Sequence, residues 1–583
     1  MQANKPSLTP GGRAGSLLSA HWSTSLFCAV VFFALYLFLF RPGYQVDDDI
    51  TMIQIASGYL GGQPAPFLVF SNVALGFLLN LLYRLPSHVN WEILFFLGIN
   101  FLSVWSLIYI VFSLPLKSAP KAYGAVSILL SDSLFLLNIT FTTMATFAAI
   151  AGLVSILAAG HKQSSFPGRM TVFGGLLILM GSLIRVESIF LVLLLSLPCL
   201  AVVYRWFELR KLATGLAITI TAVIAFYLFN SIYVGSFPQW DSFYTYTYTR
   251  SMLQDTPRGR PSNMKDTYTM VGWNFNDYKL FMSWFFPDEQ LFSISNIRTL
   301  IQHIPGTERN GFSAALSYFY PKPFFDDIDS IPYFLMIAAG LAALAVIPSL
   351  RKAIPPLLVH LLTFLILILY LIWTEKVPLR IWDSFLSTTS VTGLFLLFWA
   401  GLEAGTSQPA SRGRSRLVYV IPALLGIAGA CALYYATITT GLNVQRQTAY
   451  QKVLSDLKTL RAQGRIRDNA LIVSPAVGVP LVWSNPMSLD LPGTQYMEMG
   501  WLTFSPSYYS VLHEFDMQSL PEGLYQKDNV YIMIKANLVE SVVEYIFDHT
   551  GAVTVPQAIY SQPNYDFDPT YNNVKLYKFV LQQ

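Results

Sequence analysis

Apolar residues along this chain come in long unbroken blocks, unlike the two-residue alternation of a half-buried strand or the single stripe of a surface helix. The first block reads SLFCAVVFFALYLFLF, within roughly 24–40, and ten more follow at about 92–114, 121–138, 143–160, 171–185, 187–204, 212–233, 331–349, 355–373, 382–402 and 417–440. A membrane helix needs about 20 mostly apolar residues, so the pattern predicts about eleven transmembrane helices. One more stretch, PFLVFSNVALGFLLNLLYRL at 66–85, is apolar enough to be a twelfth. If it crossed, every later loop would change sides. If it does not, the loops with Lys117 and Lys121, Lys162 and Arg169, Arg205, Arg210 and Lys211, Arg351 and Lys352, and Arg412, Arg414 and Arg416 are all cytoplasmic. Basic residues concentrate on that side. We therefore read 66–85 as a helix lying at the outer interface. The first block follows Lys5 and Arg13, ends at Arg41-Pro42 and shows no small-residue cleavage pattern, which makes it a retained signal anchor.

After residue 440 the pattern changes. AYQKVLSDLKTLRAQ has amphipathic helical spacing, NALIVSP and NVYIMIKA read as short buried strands, NLVESVVEYIFDHTG as a helix ending at glycine, and NVKLYKFVLQ as a last strand. The expected fold class is thus a polytopic α-helical membrane protein with a C-terminal soluble α/β domain. Residues 1–440 form the membrane domain with outer loops at 41–90 and 234–330, and 441–583 form the extracytoplasmic domain.

Composition sharpens this picture only in part. The chain is 54% hydrophobic and 12% charged, against roughly 25% charged in soluble domains. A net charge of +4 is too small to argue for nucleic acid, and the lipid bilayer is the implied partner. Cys28, Cys199 and Cys431 all lie in apolar runs, with neither a CxxC pair nor a disulfide framework. The one N-x-S/T sequon, Asn138-Ile139-Thr140, sits at a membrane edge, which favours a bacterial cytoplasmic membrane.

Candidate chemistry collects outside. Ionisable residues at membrane depth or in its outer mouth are costly to keep there, so they are functional candidates. Asp47, Asp48 and Asp49 stand in a row after the first span. Adjacent carboxylates repel, so the run raises one pKa, binds a divalent cation, or is a solvated loop end. Arg185 and Glu187 interrupt apolar sequence in GSLIRVESIF, either as a mutually compensating buried pair or as substrate contacts. TEKVPLRIWDSF brings Lys376 and Arg380 to a short outer turn, where anchoring at the interface is the simpler role. The loop 234–330 is rich in aromatic residues, most of them suited to interface packing, and offers Asp277 between Asn276 and Tyr278. No Gly-rich phosphate loop or dinucleotide fingerprint is present.

The order of acidic run, helix-like stretch ITMIQIASGYL, Gly/Pro turn and interfacial helix resembles the start of the GT-C superfamily of membrane glycosyltransferases. That family places an acidic pair just outside the first span, often with Tyr three residues on. Asp48-Asp49 matches the pair, and Met52 stands near the Tyr position, a departure from the pattern. The resemblance implies a sugar donor linked to a polyprenyl phosphate and a glycan, lipid or protein acceptor. It makes Asp48 the general base and Asp49 its catalytic companion, and it matches Arg380 to an arginine that begins a late span. Asp47, Arg185, Glu187, Asp277 and Lys376 are then substrate-binding candidates. Such a reaction needs a base for the acceptor hydroxyl and positive charge for the leaving phosphate. A polysaccharide ligase or polymerase, and a lipid-linked-sugar transporter or flippase, are the alternatives. The sugar, the acceptor and the inverting or retaining outcome are not legible in these residues.

Overall fold

The computed structural model describes residues 10–60, 62–85, 88–163, 166–255, 267–303, 329–373, 378–404, 419–475 and 477–582. Its membrane part runs α1 (Pro10–Leu39), β1 (Gly43–Tyr44), α2 (Asp47–Ser57), α3 (Val73–Tyr83), α4 (Trp91–Ser113), α5 (Ser118–Leu137), β2 (Asn138–Ile139), α6 (Phe141–Gly160), α7 (Arg169–Ile184), α8 (Val186–Val202) and α9 (Leu209–Gly235). Next come α10 (Pro238–Gln254), α11 (Phe275–Met282) and α12 (Ile294–His303), then α13 (Ser330–Val346), α14 (Ile354–Trp373), α15 (Leu379–Glu403) and α16 (Val420–Ala462). The remainder is β3 (Leu471–Ser474), β4 (Gln495–Glu498), α17 (Pro506–Glu514), α18 (Leu520–Gln526), β5 (Val530–Lys535), α19 (Val539–Thr550), β6 (Thr554–Ser561) and β7 (Val574–Leu581).

Over its described residues, each apolar block predicted as a span lies largely in a helix. Among the described residues seven helices are long and apolar enough to cross a membrane: His21–Leu39, Trp91–Ser113, Phe141–Gly160, Leu209–Gly235, Pro348–Trp373, Leu379–Glu403 and Val420–Ala462. α7, α8 and α13 are apolar but shorter, at 16, 17 and 17 residues. α3 has 11 residues, a rise of about 16 Å and roughly half the hydrocarbon thickness. It is therefore too short to cross.

The bundle is built around α6, which is buried along nearly its whole length. Its small residues explain why. A Cβ added at Gly152 or at Gly174 of α7 would meet the other's carbonyl oxygen at 2.5 Å, so the two backbones touch as only small residues permit. α9 is the opposite case: little of it is buried, and it presents Ile218, Ile224, Leu228 and Ile232 outward.

The two ends of the bundle differ in chemistry. At one end the His161 ring nitrogen lies 3.6 Å from Glu403, Lys352 donates to the Glu403 carbonyl at 2.7 Å, and the Lys162 amide bonds Trp206. This is the basic end. At the other, β1 pairs in parallel with β2, Gly43 with Asn138 and Tyr44 with Ile139. That two-residue ladder sets the start of α2 beside the start of α6. Asn443 and Gln447 of α16 hold the same segment by donating to the Arg41 and Pro42 carbonyls at 2.9 and 3.0 Å.

α16 is one helix of 43 residues, so the sequence boundary at 440 falls inside it. The amphipathic stretch read there as a new element continues the last apolar block. A five-stranded sheet follows in the order β4-β3-β5-β7-β6, with β4, β3 and β5 parallel and β7 and β6 antiparallel. β3 is buried at all four positions, as a central parallel strand requires. α19 ends where Gly551 turns left-handed at φ 73°.

The aromatic loop differs from expectation. Trp273, Phe281, Phe285, Phe286 and Phe292 form one core with Val473, Met497, Tyr545 and Ile546 of the sheet domain. These rings are the far wall of the α/β domain, where flat apolar faces find strands to cover, and residues 267–303 pack as part of it.

Candidate active site

Asp47, Asp48 and Asp49 are the first turn of α2, where carboxylates meet the unpaired amides and positive pole of a helix. Asp48 turns toward α15. Its Oδ2 accepts a hydrogen bond from Arg380 Nη1 at 2.9 Å, and the two side chains are 19% and 18% exposed. Arg380 is the second residue of α15, set by Pro378 at the N-cap. Arg185 enters from the break between α7 and α8, and its Nη1 donates to Thr142 Oγ1 at 2.8 Å. Phe141, the first residue of α6, has the Arg185 guanidinium 4.7 Å and the Arg380 guanidinium 5.4 Å from its ring centre. Two cations thus lie against one ring, and one of them is paired with a carboxylate.

Asp49 points elsewhere. It is fully buried; its Oδ1 accepts from the Phe141 amide at 2.9 Å, and its Oδ2 has no partner among the described residues. Burial is the main force pushing its pKa up to about 8; the Phe141 amide works against that shift and Asp48 adds to it. Asp47 rises to about 7, first through burial and then through the charges of Asp48 and Asp568. Successive residues on a helix diverge by about 100°, so these three carboxylates do not converge on one point. Among the described residues no group of three His, Cys, Asp or Glu is arranged to hold a metal ion. The donor set does not fit the divalent cation that the acidic run suggested.

The structure adds residues the sequence did not single out. Glu498, at the end of β4, has one carboxylate oxygen buried without a partner, and burial, Asp47 and Asp48 hold its pKa well above the carboxylate range. β4 is fixed there by Tyr59, just past α2, whose hydroxyl takes the Tyr496 amide at 3.1 Å and faces the Pro492 and Thr494 carbonyls at 3.0 Å. Phe70 stacks on Phe141 at 5.8 Å, and Trp501 meets Phe70 edge-on at 5.0 Å. Arg250 of α10 lies 4.5 Å over Trp284, and its charge reaches Asp48. Burial lowers its pKa to about 10. A single Glu between Met497 and Met499 carries no motif, and only the folded sheet brings it to α2.

Two expected residues do not join the centre. Glu187 lies 3.7 Å from Arg185 but is 69% exposed, so the pair is loose and not buried. Asp277 closes a capping box with Asn274 at the start of α11 and gives its other oxygen to His549 at 2.8 Å. Both oxygens are occupied in holding α11 against α19, which makes Asp277 structural. Lys376 lies outside the described residues. Comparison with protein families, curated proteins and solved structures finds no match for this chain.

Proposed function

We propose that the protein is a glycosyltransferase of the GT-C type, moving a sugar from a polyprenyl-phosphate donor to an extracytoplasmic acceptor. The observation that carries this reading is the Asp48–Arg380 pair with Arg185 beside it on Phe141. A base and two cations at the end of a membrane bundle are what a lipid-linked phosphate leaving group needs. In this reading about eleven helices cross a bacterial cytoplasmic membrane, the basic end faces the cytoplasm, and the sheet domain covers the site from outside.

The donor phosphate displaces Asp48 from Arg380 and takes both guanidiniums. Asp48, released, accepts the proton of the acceptor hydroxyl as its oxygen attacks the anomeric carbon. The bond from that carbon to the phosphate oxygen breaks, and the electron pair leaves on the polyprenyl phosphate, neutralised by Arg380 and Arg185. A single displacement of this kind inverts the anomeric centre. The position of the Asp48, Arg380 and Arg185 centre at the end of the bundle favours this over transport, which calls for a site at broken helices near the bilayer midplane.

Protein reconstituted into liposomes with a labelled polyprenyl-phosphate sugar provides the test. Loss of label from the lipid to an acceptor or to water supports the enzyme. Label that changes leaflet while remaining on its lipid refutes it in favour of transport.

A further inference from the structure

A cleft of about 1240 Å³ opens on the sheet-domain side, between α10 with the start of α12 on one wall and α17 on the other. It is larger than the roughly 300–1,000 Å³ of a small-molecule pocket. Its floor is made of rings: Tyr246 meets Phe504 edge-on at 5.0 Å. Tyr246, which lines the cleft, is 4% exposed, and its buried hydroxyl has no partner among the described residues. Phe504 holds a left-handed backbone at φ 68°, a conformation costly for a bulky residue and concentrated at ligand clamps. Planar polar groups line the sides: Gln239 on one wall, Glu289 bonded to Tyr509 across the gap, and Gln63 from the turn after α2.

We infer that this cleft is a saccharide-binding subsite that holds a glycan acceptor. A sugar ring offers two surfaces, an apolar C–H face that lies on aromatic rings and vicinal hydroxyls that pair with carboxylates and amides. The cleft supplies both, together with a buried hydroxyl that lacks a partner. A peptide site would instead show an open strand edge or discrete apolar pockets. The cleft also adjoins the charged centre. Tyr246 and Arg250 are four residues apart on α10, about 6 Å along the axis, and Asp48 is among the charges that act on Arg250. The loop that ends in Phe504 also carries Trp501, which packs against Phe70 at the centre. A bound glycan therefore runs from the cleft toward Asp48.

That this glycan is the acceptor rests on the transferase reading; that the cleft binds saccharide does not. The full chain in nanodiscs is probed with an array of immobilised bacterial-envelope and plant oligosaccharides of about two to six units. Binding is then measured in solution with the free oligosaccharides. Wild type binds, and Tyr509→Ala and Gln239→Ala, on opposite walls and both exposed, weaken binding about tenfold. If the array shows no ligand, if a peptide library binds in place of saccharides, or if both wall variants bind like wild type, the inference is wrong. Retained saccharide binding in a protein that never consumes donor would leave the cleft standing and remove the transferase.

Discussion

Asp48 and Asp49 are neighbours with opposite environments. Asp48 sits in an ion pair at a half-buried mouth, while Asp49 is sealed against Phe141 with one oxygen unpaired. The folded state raises the Asp49 pKa from 3.8 to about 8. Between those values the folded protein keeps a proton that the unfolded chain has released, so stability from this group is full at low pH and falls as pH rises toward 8. Asp47 and Glu498 add to the same fall. Thermal unfolding in nanodiscs at pH 5 and pH 8.5 checks this: Asp49→Asn should lose less stability over that interval than wild type, and an identical loss would refute the assignment. Asp48 and Arg380 were legible in sequence because each is a charge placed where an apolar block begins or ends. Glu498 was not, because its meaning depends on which strand lies over α2. Asp277 was misread although its capping spacing, Asn274-x-x-Asp277, was present, since an acid in an aromatic loop looks like a ligand until its partners are known.

Elements show the same division. Long apolar blocks announce helices, but where a helix stops depends on what it meets. No residue around 440 breaks α16. Gly441 lies on its exposed side with nothing within 4 Å of an added Cβ. Gly441→Ala should therefore stabilise the protein by roughly 1 kcal/mol. Gly441→Pro should cost about 3 kcal/mol or more in that helix and loosen Asn443 and Gln447 from the α2 approach, lowering transfer more than it lowers the melting point of the bundle. Equal activity in the two variants would show that the continuity of α16 does not position the site. The short strands were partly hidden: β4 has four residues, and β6 carries Pro556. A proline tolerated in a strand marks an edge, and β6 is the outermost strand of the sheet.

For the whole molecule the reading depends on orientation. Among the described residues, the basic side chains near Lys162 and Lys352 and the charged centre occupy opposite ends of the bundle. Arg414 lies outside the described residues; its basic loop is expected on the side of Lys352, so a cysteine there and one at Ser57, each in a background lacking Cys28, Cys199 and Cys431, should label from opposite sides. An impermeant thiol reagent outside the cell should reach the second and not the first; the reverse pattern would place the site inside. The central claim is narrower: donor phosphate opens the Asp48–Arg380 pair, and Asp48 then takes the acceptor proton. Initial rates of sugar transfer, with donor and acceptor varied separately, test it most directly. Asp48→Asn should lower the rate about 10²–10⁴-fold at saturating donor. Arg380→Ala should weaken the dependence on donor about ten- to a hundredfold with the acceptor dependence little changed, and Arg380→Lys should restore part of it. Donor dependence untouched in folded Arg380→Ala, together with near-normal turnover in Asp48→Asn, would contradict the account.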